Sequence, residues 1–205
     1  MALVVDHVLL AVEDLDAAPE LFAGYGLPSY RGGAHAEWGT ANVIAPLGDA
    51  YLEAIGVVDR EAAAHSVFGR WVASTLARGR RFMGWSVRTN DIDRVAARLG
   101  IDAVPGSRAR PDGRELRWRT AGSERALHDP STPFFIEWDV EGALHPGAAA
   151  LPGTELVRVE VTGDEARVRG WLGDDGLRVS IAAGEPAVRA VVIRRNGDDV
   201  VIENA

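Results

Sequence analysis

Apolar residues in this chain fall in short runs that stop at acidic turns. Leu3 to Val12 is the first such run, rich in Val and Leu, and predicts a strand. Asp14 then stands as the N-cap of a helix over Leu15 to Phe22, which Gly24, Gly26 and Pro28 bring to an end. A second strand is predicted from Glu37 to Ala45, a turn at Pro46-Leu47-Gly48-Asp49, and a third strand from Ala50 to Val57. In that third strand, period two puts Tyr51, Glu53, Ile55 and Val57 on one face. Arg60 to Arg78 carries a stripe of Val67, Trp71, Ser74 and Leu76 and predicts a linker helix packed on a sheet.

The pattern then starts again. Phe82 to Arg88 predicts a strand, and Asp91 to Leu99 a helix with Ile92, Val95, Ala96 and Leu99 inward and Gly100 as its C-cap. Gly106 to Gly113 reads as a loop rich in Arg, Pro and Gly. Glu115 to Thr120 alternates, with Leu116 and Trp118 on one side and Arg117 and Arg119 on the other. A loop from Gly122 to Pro133 precedes a strand from Phe134 to Val140. The two copies share a design: Asp6-His7-Val8-Leu9 and Gly84-Trp85-Ser86-Val87 each open a strand that runs to an acidic turn and a helix. Each is followed by a strand with one carboxylate inside it, Glu53 and Glu137. A duplicated unit with polar residues in its strands implies two sheets facing each other across a shared site.

From Glu155 the theme returns in weaker form. Val157, Val159 and Val161 alternate with Arg158 and Glu160, Asp164 opens a short helix to Leu172, and strands follow at Leu177–Ala182, Val188–Arg195 and Val200–Glu203. The register of His7 falls here on Leu156, and the last strands carry no inward carboxylate. This unit is expected to be structural: a sheet extension, a lid or an oligomer contact.

Composition removes chemistry more than it adds. There is no Cys, which excludes thiolate nucleophiles, disulfides and Cys-ligated metals, and no Lys, which excludes Schiff bases and a P-loop. The net charge of −8 argues against nucleic-acid binding. Arg78 to Arg125 nevertheless holds twelve arginines against six acids, either a solvated, ion-paired face or a mouth that draws in an anionic small molecule. No apolar run is long enough for a membrane span, and the N-terminus lacks a basic signal region, so a cytoplasmic location is expected.

Several phrases together resemble the glyoxalase-like branch of the vicinal-oxygen-chelate superfamily. They are Asp6-His7, His35-x-x-Trp38-Gly39-Thr40-x-Asn42, Tyr51-Leu52-Glu53, Arg110-Pro111-Asp112-Gly113 with Leu116 and Trp118, Pro133-Phe134-Phe135-Ile136-Glu137-Trp138, and His145-Pro146. The resemblance implies an α+β fold of paired β-α-β-β-β modules forming a cup-shaped sheet. Modules would span 1–80 and 81–150, with a partial third module at 151–205. It also implies a divalent metal, Mn, Ni, Fe or Zn, on His7, Glu53 and Glu137. The fourth ligand position falls on Gly84, which has no side chain to offer.

Two readings of the site follow. In the first, the metal stabilises an oxyanion beside a carbonyl, and His35 or Glu137 moves the proton in an isomerase, epimerase or lyase reaction. In the second, which Gly84 favours, the cup is a metal-free binder of a small molecule or drug. Trp38, Asn42, Arg110 and Trp118 are the expected substrate contacts, with Arg110 as a carboxylate clamp. The partner in either case is a small molecule, carbonyl-bearing and anionic in the first reading, with a homodimer or an edge-associating scaffold as further alternatives. His145 is read as mostly structural, and His65 and His128 as exposed.

Overall fold

The computed structural model describes residues 3–173 and 176–204. Eight strands close into a barrel: β1 (Leu3–Ala11), β2 (Tyr30–His35), β3 (Thr40–Leu47), β4 (Ala50–Val57), β5 (Phe82–Thr89), β6 (Ala103–Ala109), β7 (Glu115–Ala121) and β8 (Phe134–Trp138). Their order is β1-β4-β3-β2-β6-β7-β8-β5. In each half the first strand pairs in parallel with the fourth, β1 with β4 and β5 with β8, and β1 and β5 join the halves antiparallel. The expected α+β architecture of paired modules around a cup is therefore present.

The helices sit outside the strands or at their ends: α1 (Ala18–Gly24), α2 (Arg60–His65), α3 (Val67–Ala77), α4 (Ile92–Leu99), α5 (Ser123–His128) and α6 (Glu165–Leu172). Asp91 caps α4 by accepting from the Arg94 backbone N–H, and Gly100 closes it in the left-handed region, as the sequence predicts. Asp164 caps α6 in the same way. The C-terminal strands β9 (Thr154–Thr162), β10 (Val179–Ala182), β11 (Ala187–Arg195) and β12 (Asp198–Glu203) repeat the β-α-β-β-β succession but order themselves β10-β9-β11-β12. Val159, Val161, Val191 and Ile193 from this sheet share one core with the barrel's outward residues Val8, Leu10, Leu52 and Phe135. Asn204 Oδ1 accepts from the backbone N–H groups of Arg81 and Phe82, which pins the last strand's end to the start of β5. No helix among the described residues is long and apolar enough to cross a membrane.

Several elements differ from the sequence expectation, each for a local reason. Helix α1 starts at Ala18, because the Asp14 carboxylate closes a turn on the Asp16 N–H instead of capping a helix. The linker helix breaks at Ser66, whose hydroxyl accepts from Gly69 N–H to start α3 and donates to the Trp38 carbonyl. Strand β2 carries Gly32-Gly33 and so shows no apolar alternation. Strand β6 occupies part of the expected Gly106–Gly113 loop, and Arg108 is its one buried residue. Helix α5 lies inside the expected Gly122–Pro133 loop.

Register fixes what each half contributes to the interior. Leu9 lies opposite Glu53 on β4 and opposite Gly84 on β5, while His7 lies opposite Ser86. Ser86 in turn lies opposite Phe134 on β8. The two-fold relation between the halves exchanges His7 with Gly84, and it exchanges Glu53 with Phe134 rather than with Glu137. The space beside Gly84 is filled by the Trp71 ring from α3, against which a Cβ would collide, and the Trp71 Nε1–H donates to the Met83 carbonyl. Gly84→Ala is expected to cost about 1–3 kcal/mol by overpacking. Urea denaturation should show this loss shrinking in the Trp71→Leu background, where the ring is gone.

Candidate functional site

The barrel interior holds a cavity of about 30 Å³, lined by His7, Glu53, His35, Asn42, Arg108 and aromatic rings that include Trp38 and Trp118. That is room for about one or two water molecules. The charged and amide groups come from module one and, in Arg108, from β6 of module two; the rest of module two supplies mainly rings, Phe134 and Trp138 among them, with Thr120 and Ile136.

His7 and its neighbour Asp6 form the inner end of the site. Neighbouring side chains in a regular strand point to opposite faces, but the register of β1 slips between Val5 and His7. The irregularity lets the Asp6 carboxylate reach the ring next to it: His7 Nδ1–H donates to Asp6 Oδ2 at 2.8 Å. A carboxylate accepts only, so this bond leaves His7 Nε2 facing Glu53 Oε2 at 3.6 Å. The His7 ring stacks on Tyr51, with centroids 4.6 Å apart. Asp6 is fully buried and also accepts from Trp138 Nε1–H and from His145 Nε2–H, and pairs with Arg88. Burial pushes the Asp6 carboxyl up, but the bonds and charges of His145 and His7 outweigh it and hold it well below the ordinary carboxylate value. His145, expected to be structural, is thus a buried support for Asp6.

Glu53 and Arg108 form the outer end, joined by one amide. Asn42 Nδ2–H donates to Glu53 Oε1 at 2.6 Å, and Asn42 Oδ1 accepts from Arg108 Nη1–H at 2.8 Å. Arg108 is only 3% exposed, and its Nε and Nη2 have no partner among the described residues. Gly32 makes the seat for this group, since a Cβ there would collide with Asn42 Oδ1 and Arg108 Nη1. Gly33, at φ 142°, lies where a Cβ would strike the Ala109 carbonyl, so the glycine pair also permits the β2–β6 seam that closes the barrel.

His35 lines the same cavity with Nδ1 3.0 Å from Thr40 Oγ1, stacked on Trp38. Burial outweighs the attraction of Glu53 and lowers its pKa from 6.5 to about 4, so the ring is neutral at pH 7.

Of the residues expected from sequence, His7, Glu53, His35, Trp38, Asn42 and Trp118 line one cavity. Two do not join them. Glu137 points to the outer face of β8, where it pairs with Arg119, because Phe134, Ile136 and Trp138 take the inward positions by alternation. Arg110 lies on the hairpin beyond β6 and pairs with Asp112. Sequence reasoning missed Arg108, two residues earlier. Its only signal was Gly32-Gly33, a glycine pair in need of a large neighbour.

A metal ion does not fit these side chains. The expected third ligand faces outward, and the two module-two positions are Gly84 under the Trp71 ring and Phe134. The buried guanidinium of Arg108 adds a positive charge to the same cavity. Among the described residues no three His, Asp or Glu side chains converge to hold an ion.

Outside the cavity lies an open groove of about 1150 Å³, lined by Arg88, Arg117, Arg119 and His145. Trp118 and Trp138 line both spaces and so form the wall between them. Arg117 and Arg119 are engaged by Glu115, Asp93 and Glu137.

The family model of a glyoxalase-like domain matches residues 5–174. The chain belongs to this glyoxalase-like family. No curated protein matches it. Among solved structures, a hypothetical protein from Staphylococcus aureus is similar at 18% identity and a TM-score of 0.68, covering 98% of this chain and 84% of that one. Methylmalonyl-CoA epimerase from Streptomyces coelicolor gives 21% and 0.46, covering 65% and 92%. A 4-hydroxymandelate synthase mutant from the same organism gives 15% and 0.45, covering 80% and 48%. The first of these shows that the fold is shared, and nothing about activity.

Because the folded His35 takes up a proton less readily than the unfolded one, stability falls as pH drops from 6.5 towards 4 and the unfolded chain protonates first. The contribution is about 3 kcal/mol across that window. Urea unfolding of wild type and His35→Gln at pH 7.5 and pH 4.5 should show a smaller acid loss in the variant.

Proposed function

We propose that this protein is a metal-free small-molecule enzyme of isomerase or epimerase type, whose reaction turns on moving one proton inside the cup. The observation that carries this reading is the buried line from Asp6 through His7 to Glu53, with steps of 2.8 and 3.6 Å. Asp6 holds the imidazole with Nδ1 protonated, so Nε2 is the end that exchanges a proton with Glu53 or with a bound molecule. Glu53 is the base for a proton next to a carbonyl, oriented by the Asn42 N–H. The Arg108 cation lies where negative charge on the bound molecule is stabilised, in surroundings that magnify the interaction. His35, neutral at pH 7, is a hydrogen-bonding partner for the substrate. The outward Glu137 takes no part, and neither does a divalent metal. Within this reading the chain divides at 1–80, 81–150 and 151–205, with the last unit supporting the barrel from outside.

A second reading, a binding protein without chemistry, is favoured by one observation: the cavity is small and walled mainly by rings.

Incubation in D₂O with a panel of α-hydroxy carbonyl compounds, followed by NMR, separates the two. The enzyme reading predicts exchange of the proton beside the carbonyl, slowed roughly a hundredfold or more in Glu53→Gln and in His7→Asn, and unchanged by prior treatment with a chelator. Exchange lost on chelation contradicts it. Ligand-induced chemical-shift changes without exchange support the binder.

A further inference from the structure

Arg108 carries more information than its charge. The Nε–H and one Nη2–H of a guanidinium run parallel along one edge, the geometry that receives both oxygens of a carboxylate. In this protein those are the two nitrogens left without partners, while the remaining nitrogen, Nη1, is held by Asn42. A buried cation with an unpaired donor edge is costly. Glu53 is bridged to it only through Asn42 and occupies neither donor. Other buried charged groups of the barrel are paired directly: Asp6 meets two histidines and an arginine.

We infer that this edge is a carboxylate-binding subsite and that the substrate is a short-chain monocarboxylate, which enters from the outer groove by displacing Trp118 or Trp138. The inference rests on the small-molecule reading of the cup given above and names the class of molecule. Two observations support it besides the free edge. The cavity's size admits only a compact group before a ring has to move. The two indoles are the wall shared with the groove. The twelve arginines from Arg78 to Arg125 are accounted for differently than charge counting suggests, because one buried member, Arg108, does the recognition and Arg117 and Arg119 are held in exposed ion pairs.

Tryptophan fluorescence titration tests this directly. The probes are acetate, lactate and pyruvate, each against its neutral amide, at constant ionic strength. Wild type should give a saturable change with at least one of the acids and none with its amide. Arg108→Lys keeps the charge but presents no parallel edge, and should weaken binding about tenfold or more; Arg108→Gln should abolish it. Circular dichroism confirms that each variant folds, and Lys serves if Gln does not. Glu53→Gln should still bind the acid, so proton chemistry and carboxylate recognition can fail separately: binding without exchange sinks the enzyme reading and leaves this one standing. Equal responses to acid and amide, wild-type affinity in Arg108→Lys, or no saturable response to any acid at millimolar concentration each overturn the proposal.

Discussion

A guanidinium inside a closed barrel is the constraint around which the interior is arranged. Removing a charge from water costs several kcal/mol unless partners replace the hydration. Arg108 gets part of that compensation from Asn42 and part from the nearby carboxylate of Glu53. Its position also dictates backbone. Gly32 and Gly33 have to lack side chains, because the guanidinium and the Ala109 carbonyl occupy the space a Cβ would take. The same two residues make the seam by which β2 meets β6, so closing the barrel and seating the cation are one requirement.

The second organising feature is asymmetry between two halves that share a topology. The antiparallel β1–β5 pair relates them, yet module one presents His7 and Glu53 where module two presents Gly84 and Phe134. Trp71 then fills the gap at Gly84 and turns the linker helix into part of the barrel's packing. A site that a symmetric duplication would build from four polar strand residues is left with two, beside aromatic walls. In the reading proposed here, an arginine anion subsite and a histidine–glutamate pair work in a cup whose ligand set does not suit a divalent ion.

Much of this was legible in the sequence, and the misses have physical causes. Period two in Ala50–Val57 placed Glu53 inward with Tyr51 and Ile55. The strand boundaries of β1, β4 and β5 followed from apolar runs ended by turn residues. Glu137 went wrong because a carboxylate was matched to a carboxylate by motif; register shows that Phe134 holds the equivalent place, three residues earlier. Arg108 was hidden because β6 is mostly exposed and contains Pro105 and Gly106, which read as loop. Asp6 could not be recognised as a partner of His7, since adjacent strand residues share a face only at an irregularity that depends on pairing with β5. Long-range register, rather than local propensity, carried the missing information.

The measurement that tests the central claim most directly is calorimetric titration of metal-stripped protein with Mn(II), Ni(II), Fe(II) and Zn(II), in wild type and Glu53→Ala. The account predicts no stoichiometric uptake by the wild type that the variant loses. One-to-one binding of any of these ions that disappears in Glu53→Ala would contradict it, and would mean that the cup rearranges to gather ligands which this structure holds apart.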